Sequence, residues 1–323
     1  MKRIFLSLTA IATLLGGVVA YSPAHAASSD NSIWSGLWDG INLNIGSRSE
    51  ESAGTSATTT APAETTVKPA AKATSDRKIY AALGDSVAAG IGLDAKANPK
   101  GNDTLCGRSS QAYAKRVSSQ TKLPLVHVAC SSATAGDLVT KQSINGPNIP
   151  AQLTAAYAAG TPTLITITAG ANDIRWADFL NACYVSNCAT DSTDKAVYGL
   201  RGILWTKLNY AFQSINYRSN GNPPTVIVTG YYNPVSPACE GLTNKVTAAE
   251  IQWITRTTAE LNHTIRLAAS DYPFVKFAPV HFTGHDICSS SPWIQGLADA
   301  APFHPTASGQ RAIADAVLAA YKK

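Results

Sequence analysis

The chain has 323 residues, 45% of them hydrophobic, with 26 Lys and Arg against 21 Asp and Glu. That mild positive balance shrinks once Lys2 and Arg3 are removed, and no Lys/Arg cluster interleaves with aromatics, so nucleic acid is not indicated as a partner. Six cysteines occur without a C-x-x-C pair, so no metal is expected.

In chain order, Met1-Lys2-Arg3 is followed by an apolar run over 4–19 and by Pro23-Ala24-His25-Ala26-Ala27, the pattern of a signal peptide cleaved after residue 26. The run is short for a membrane span, which makes a retained anchor the lesser alternative and a secreted, extracellular protein the expectation. Residues 27–76 are rich in Ser, Thr, Ala and Pro, a composition that cannot bury enough surface to offset ordering entropy, and are read as a disordered linker. They contain one aromatic-rich island, Ile33-Trp34-Ser35-Gly36-Leu37-Trp38 with 41–45, which either packs loosely or touches a cell or membrane surface. Residues 77–323 suffice for one α/β domain, expected to be a monomer. In an exported chain the six cysteines (106, 130, 183, 188, 239 and 288) are expected to form three disulfides; fifteen pairings are open, with proximity favouring Cys183 and Cys188.

Short β-type runs at 78–83, 124–129, 163–168, 225–230 and 274–280 alternate with helical stretches at 110–121, 149–159, 196–219, 248–270 and 307–321. Apolar strands separated by helices imply a five-stranded, mainly parallel sheet covered on both faces. Sites in such sheets form at the carboxyl ends of strands. That rule singles out Gly84 to Ser86, Cys130 to Ala133 and Gly170 to Asp173.

An ester hydrolase needs a hydroxyl nucleophile, a base for its proton, and donors aimed at the developing oxyanion. Ser86, Ser132 and Asn172 follow the first three strands, and His304 stands in Phe303-His304-Pro305 before the last helix. Together, Gly84-Asp85-Ser86, Ala129-Cys130-Ser131-Ser132-Ala133, Gly170-Ala171-Asn172-Asp173 and His304-Pro305 resemble the four sequence blocks of the SGNH/GDSL hydrolases, over nearly all of 78–321. The cysteines and Phe282-Thr283-Gly284-His285 resemble that family's secreted, disulfide-bearing esterase branch.

The resemblance implies a three-layer α/β/α sandwich of flavodoxin-like strand order, with Ser86 as nucleophile and His304 as general base. It further implies oxyanion donors from the backbone N–H groups of Ser86 and Ser132 and the amide of Asn172. It also implies pairing in chain order: Cys106 with Cys130, Cys183 with Cys188, and Cys239 with Cys288. Two departures stand out. Ser132 replaces the usual glycine, which raises the question of a backbone angle that glycine adopts most readily. Ala301 replaces the usual aspartate three residues before the histidine, so a dyad is expected, with the Ala301 backbone carbonyl orienting His304 and Asp299 as runner-up. A carbonyl fixes the tautomer but stabilises the imidazolium less than a carboxylate does, so activity is expected to rise through the histidine titration toward mildly alkaline pH.

Asp85 and Asp173 are read as turn or cap groups, His285 as structural or lining a pocket, and His127 and His263 as packing residues. The stretches 181–195 and 289–293 are read as loops walling an acyl pocket. The second glycine of a G-x-S-x-G elbow is lacking at Ser86, no nucleotide-binding glycine pattern occurs, and no cofactor is implied. The leading expectation is an esterase or lipase acting on acyl esters. A polysaccharide O-acetyl esterase and a non-catalytic surface-binding domain are the alternatives.

Overall fold

A computed structural model describes residues 77–94, 102–144, 147–241 and 246–322. The expected signal peptide, linker and aromatic island lie outside the described residues.

Five strands form one sheet: β1 (Lys78–Gly84), β2 (Leu125–His127), β5 (Thr161–Thr168), β6 (Thr225–Thr229) and β7 (Val275–Ala278). Its order is β2-β1-β5-β6-β7 and every pairing is parallel. Counting sheet strands alone, that is the 2-1-3-4-5 order of flavodoxin-like folds, with its switch point between β1 and β5. Two residues each in β3 (Gln142–Ser143) and β4 (Asn148–Ile149) make a separate antiparallel hairpin. Residues 79–83 of β1 are fully buried, as a central strand covered on both faces must be.

The helices are α1 (Ser86–Ala89), α2 (Asn102–Cys106), α3 (Tyr113–Thr121), α4 (Gln152–Ala159), α5 (Trp176–Val185), α6 (Asp191–Arg218), α7 (Ala248–Ser270) and α8 (Ala307–Lys322). On one face α3 packs against α8; on the other α4 covers β1 and β5, while α6 packs against α7, which reaches β7. Helix α7 begins with a capping box, Thr247 accepting from the Glu250 N–H while the Glu250 carboxylate accepts in return. Helix α8 buries Ile313, Val317 and Ala320 but leaves Tyr321 exposed.

Three disulfides form in the expected pairing, Cys106–Cys130, Cys183–Cys188 and Cys239–Cys288. The expectation of a loop over 181–195 is corrected: Asn181 to Val185 end helix α5 and Asp191 to Lys195 begin α6, leaving only 186–190 irregular, bridged by Cys183–Cys188. By contrast, the region 279–306 between β7 and α8 holds no helix or strand longer than an isolated bridge, Ile294 to Pro305.

Candidate active site

The chain turns sharply out of β1 at Gly84, whose φ is +129°, and a Cβ there would lie 2.1 Å from the Thr168 carbonyl oxygen of β5. Only glycine lets the two strand ends meet this closely. Asp85 then caps α1, its carboxylate accepting from the Val87 N–H at 2.9 Å, and Ser86 occupies the first helical position. Its Oγ lies 2.8 Å from His304 Nε2, within hydrogen-bond reach across 218 residues of sequence.

The other ring nitrogen, Nδ1, bonds the carbonyl of Pro302 at 3.0 Å. This corrects the sequence expectation by one residue: the Ala301 carbonyl accepts instead from the His304 backbone N–H at 3.2 Å. The reason is local. Phe303 sits in the left-handed region with φ +64°, which folds the chain back so that the imidazole reaches the carbonyl two residues earlier. Both carbonyls favour the protonated ring, Pro302 more than Ala301. Asp299 does not reach the histidine; its carboxylate accepts from the Gly296 N–H at 2.6 Å. Burial is the larger influence on His304 and lowers its pKa below the ordinary 6.5. The expected rise in activity therefore belongs on the acid side of that value.

Ser132 adopts φ +63°, the angle that the missing glycine would supply. Its N–H and that of Ser86 have no protein acceptor among the described residues. The Asn172 amide donates to the Ala133 carbonyl at 2.9 Å, which ties the end of β5 to the Ser132 segment and leaves its second N–H for another acceptor. The Cys106–Cys130 disulfide and the Ser131 N–H bond to the Cys106 carbonyl hold the same segment.

The remaining candidates settle into structural places. Asp85 is buried, which pushes its pKa up to about 7 against the bonds from Tyr231 and the backbone N–H groups of Val87 and Ala88. The Tyr231 hydroxyl donates to it at 2.5 Å and accepts from the Ala171 N–H at 3.2 Å, so one tyrosine links the residues preceding Ser86 and Asn172. Asp173 pairs with Lys207 at 2.8 Å and accepts from the Ala135 N–H. His285 stacks on Trp293, centroids 3.9 Å apart, and bonds the Ser291 carbonyl. His127 contacts the Ala88 carbonyl at 3.0 Å, and burial pushes its pKa down to about 4. His263, expected to pack, is exposed on α7.

Sequence reasoning missed the three buried glutamines that bond to the backbone around Ser86. Gln152 on α4 accepts from the Gly84 N–H at 2.7 Å and donates to the Gly84 carbonyl at 2.9 Å. Gln310 on α8 donates to the Val87 carbonyl at 2.9 Å and accepts from the Tyr113 N–H. Gln295 donates to the Ile91 carbonyl at 3.0 Å. A signal existed for Gln310, which shares the buried stripe of Ile313 and Val317 at helical spacing.

A parallel sheet with a serine hydroxyl and an imidazole in contact at its carboxyl edge, flanked by unpaired N–H groups, defines a hydrolase of the α/β/α type. More particularly, the chain belongs to the GDSL-like Lipase/Acylhydrolase family, which matches residues 82–312. A lipase of Streptomyces rimosus is 31% identical over 242 residues, which cover 72% of this chain and 82% of that relative. Lipase 1 of Streptomyces coelicolor is 29% identical over the same length. The crystal structure of the extracellular lipase of Streptomyces rimosus matches 75% of this chain and 99% of its own, with TM-score 0.63 and 24% identity. Phospholipase A1 of Streptomyces albidoflavus matches 76% of this chain and all of its own, with TM-score 0.58 and 23% identity, a likeness of fold. The chain is a carboxylic-ester hydrolase.

Proposed function

We propose that this enzyme is a secreted lipase or esterase that cleaves acyl esters through an acyl-enzyme on Ser86. The observation that carries the assignment of roles is the 2.8 Å contact between Ser86 Oγ and His304 Nε2, with Nδ1 held by a backbone carbonyl. With Nδ1–H donated to Pro302, Nε2 carries the lone pair and accepts the serine proton as Oγ attacks the ester carbonyl. The carbonyl oxygen takes up negative charge toward the N–H groups of Ser86 and Ser132 and the Asn172 amide. The imidazolium then protonates the leaving alcohol, and neutral His304 activates the water that releases the acid. No cofactor enters these steps.

In this reading residues 1–26 direct export, 27–76 link the hydrolase to any surface contact, and 77–323 act as a monomer. Secretion is supported by the three disulfides and by the similarity to the extracellular lipase of Streptomyces rimosus. The lipase relatives favour acyl chains over acetylated polysaccharide as substrate. A panel from acetyl to long-chain acyl esters, with acetylated xylan beside it, tests the reading. Turnover of medium or long acyl esters that disappears in Ser86→Ala is expected. Hydrolysis confined to acetylated polysaccharide, or undiminished in the variant, would refute it.

A further inference from the structure

Nucleophile and base come from opposite ends of the domain sequence, and His304 lies in the irregular segment 279–306. Something must set the distance between them, because misplacement by about 1 Å costs on the order of 100-fold in rate. Among the described residues, one hydrogen bond besides the Ser86–His304 contact joins segment 279–306 to residues 85–94: Gln295 Nε2 to the Ile91 carbonyl, 3.0 Å.

Gln295 is 5% exposed, and its bonds encircle the histidine. The same Nε2 donates to the Pro305 carbonyl at 3.1 Å, and Oε1 accepts from the Ala301 N–H at 3.2 Å. Its backbone N–H donates to the His304 carbonyl at 2.7 Å, and its carbonyl accepts from the Phe303 N–H at 3.0 Å. Two carbonyls face Nε2 and one N–H faces Oε1, so the amide has one satisfied orientation and uses both of its hydrogens. A Cβ on Gly92, next to Ile91, would lie 2.6 Å from Oε1, so the nucleophile segment is in close contact with this amide.

We propose that Gln295 is a positioning residue that fixes the base against the nucleophile, acting through His304 and touching no substrate. This rests on the Ser86–His304 reading given above. Gln295→Met keeps the shape of the side chain and removes its three bonds. The expected result is a 10- to 100-fold fall in kcat with KM within about twofold, measured well below the unfolding temperature. The loss should also be non-additive with His304→Ala, the double variant being no slower than His304→Ala within about twofold. Should Gln295→Met not fold, Gln295→Glu, which keeps the acceptor for Ala301, makes the same comparison. Unchanged kcat, or an equal further loss in the His304→Ala background, would overturn the proposal. Ser86→Ala in the same assays separates the failures: if it is inactive while Gln295→Met is neutral, only the positioning role falls.

Discussion

The two halves of the Ser86–His304 contact are built differently. Ser86 follows a central strand, and the backbone around it is held by side chains from regular helices: Gln152 on α4 binds Gly84, Gln310 on α8 binds Val87. His304 belongs to 279–306, whose order comes from the Cys239–Cys288 disulfide, the Gln295 bonds and a stack of aromatics. In that stack Tyr232 lies on Phe282, Phe282 meets Trp293 edge-on, and the Tyr232 hydroxyl donates to the Phe303 carbonyl at 2.6 Å. Ser86 is thus fixed by the fold itself, and His304 by cross-links added to a loop. Damage to the first should appear as lost stability with the folded enzyme's rate kept, and damage to the second should add lost alignment to any lost stability.

The largest expected effect comes from breaking the loop's covalent cross-link. Cys239→Ser with Cys288→Ser should cost about 2–5 kcal/mol in denaturant unfolding, and kcat should fall further than the unfolded fraction explains. If activity instead tracks the folded fraction, the two halves do not differ as described. On the nucleophile side Gln152→Leu leaves the Gly84 N–H buried and unpaired, and about 1–3 kcal/mol of stability should be lost. The surviving folded enzyme should keep its kcat within about threefold, which an active-site titration would check.

Ser132→Gly reaches both properties gently. It keeps the backbone N–H and relieves the cost of φ +63°, so stability should rise by about 1 kcal/mol with activity little changed. A tenfold loss would mean that the serine side chain itself acts. Finally, desolvation lowers the His304 pKa, so the proposed base stays neutral to lower pH than an ordinary histidine. The sign follows: kcat/KM should hold its plateau as pH falls through 6.5 and decline only below it, a profile read with the free enzyme and a small soluble ester.

The unequal construction also decided what could be read from the sequence. Ser86, Asn172 and His304 were legible because their chemistry is carried by residue type within short motifs, and the five strands because buried parallel strands are apolar throughout. The positive φ at Ser132 was legible as a serine in a glycine's place. What holds Nδ1 was not, since the choice between Ala301 and Pro302 depends on the left-handed turn at Phe303 rather than on any side chain. Gln152 and Gln310 escaped notice because they grip backbone groups 68 and 223 residues away. Backbone partners leave no mark of residue type at the far end. Helix α5 was missed for a related reason: Asn, Ala and Cys beside a second cysteine read as a loop, although they precede one.

In the proposed mechanism Ser86, activated by His304, is the hydroxyl that attacks the ester. Fluorophosphonate labelling followed by peptide mass mapping tests it most directly. A single modification is expected on the peptide carrying Gly84-Asp85-Ser86, absent in Ser86→Ala and slowed at least about 100-fold in His304→Ala. Modification of a different residue, or labelling of His304→Ala at the wild-type rate, would contradict it.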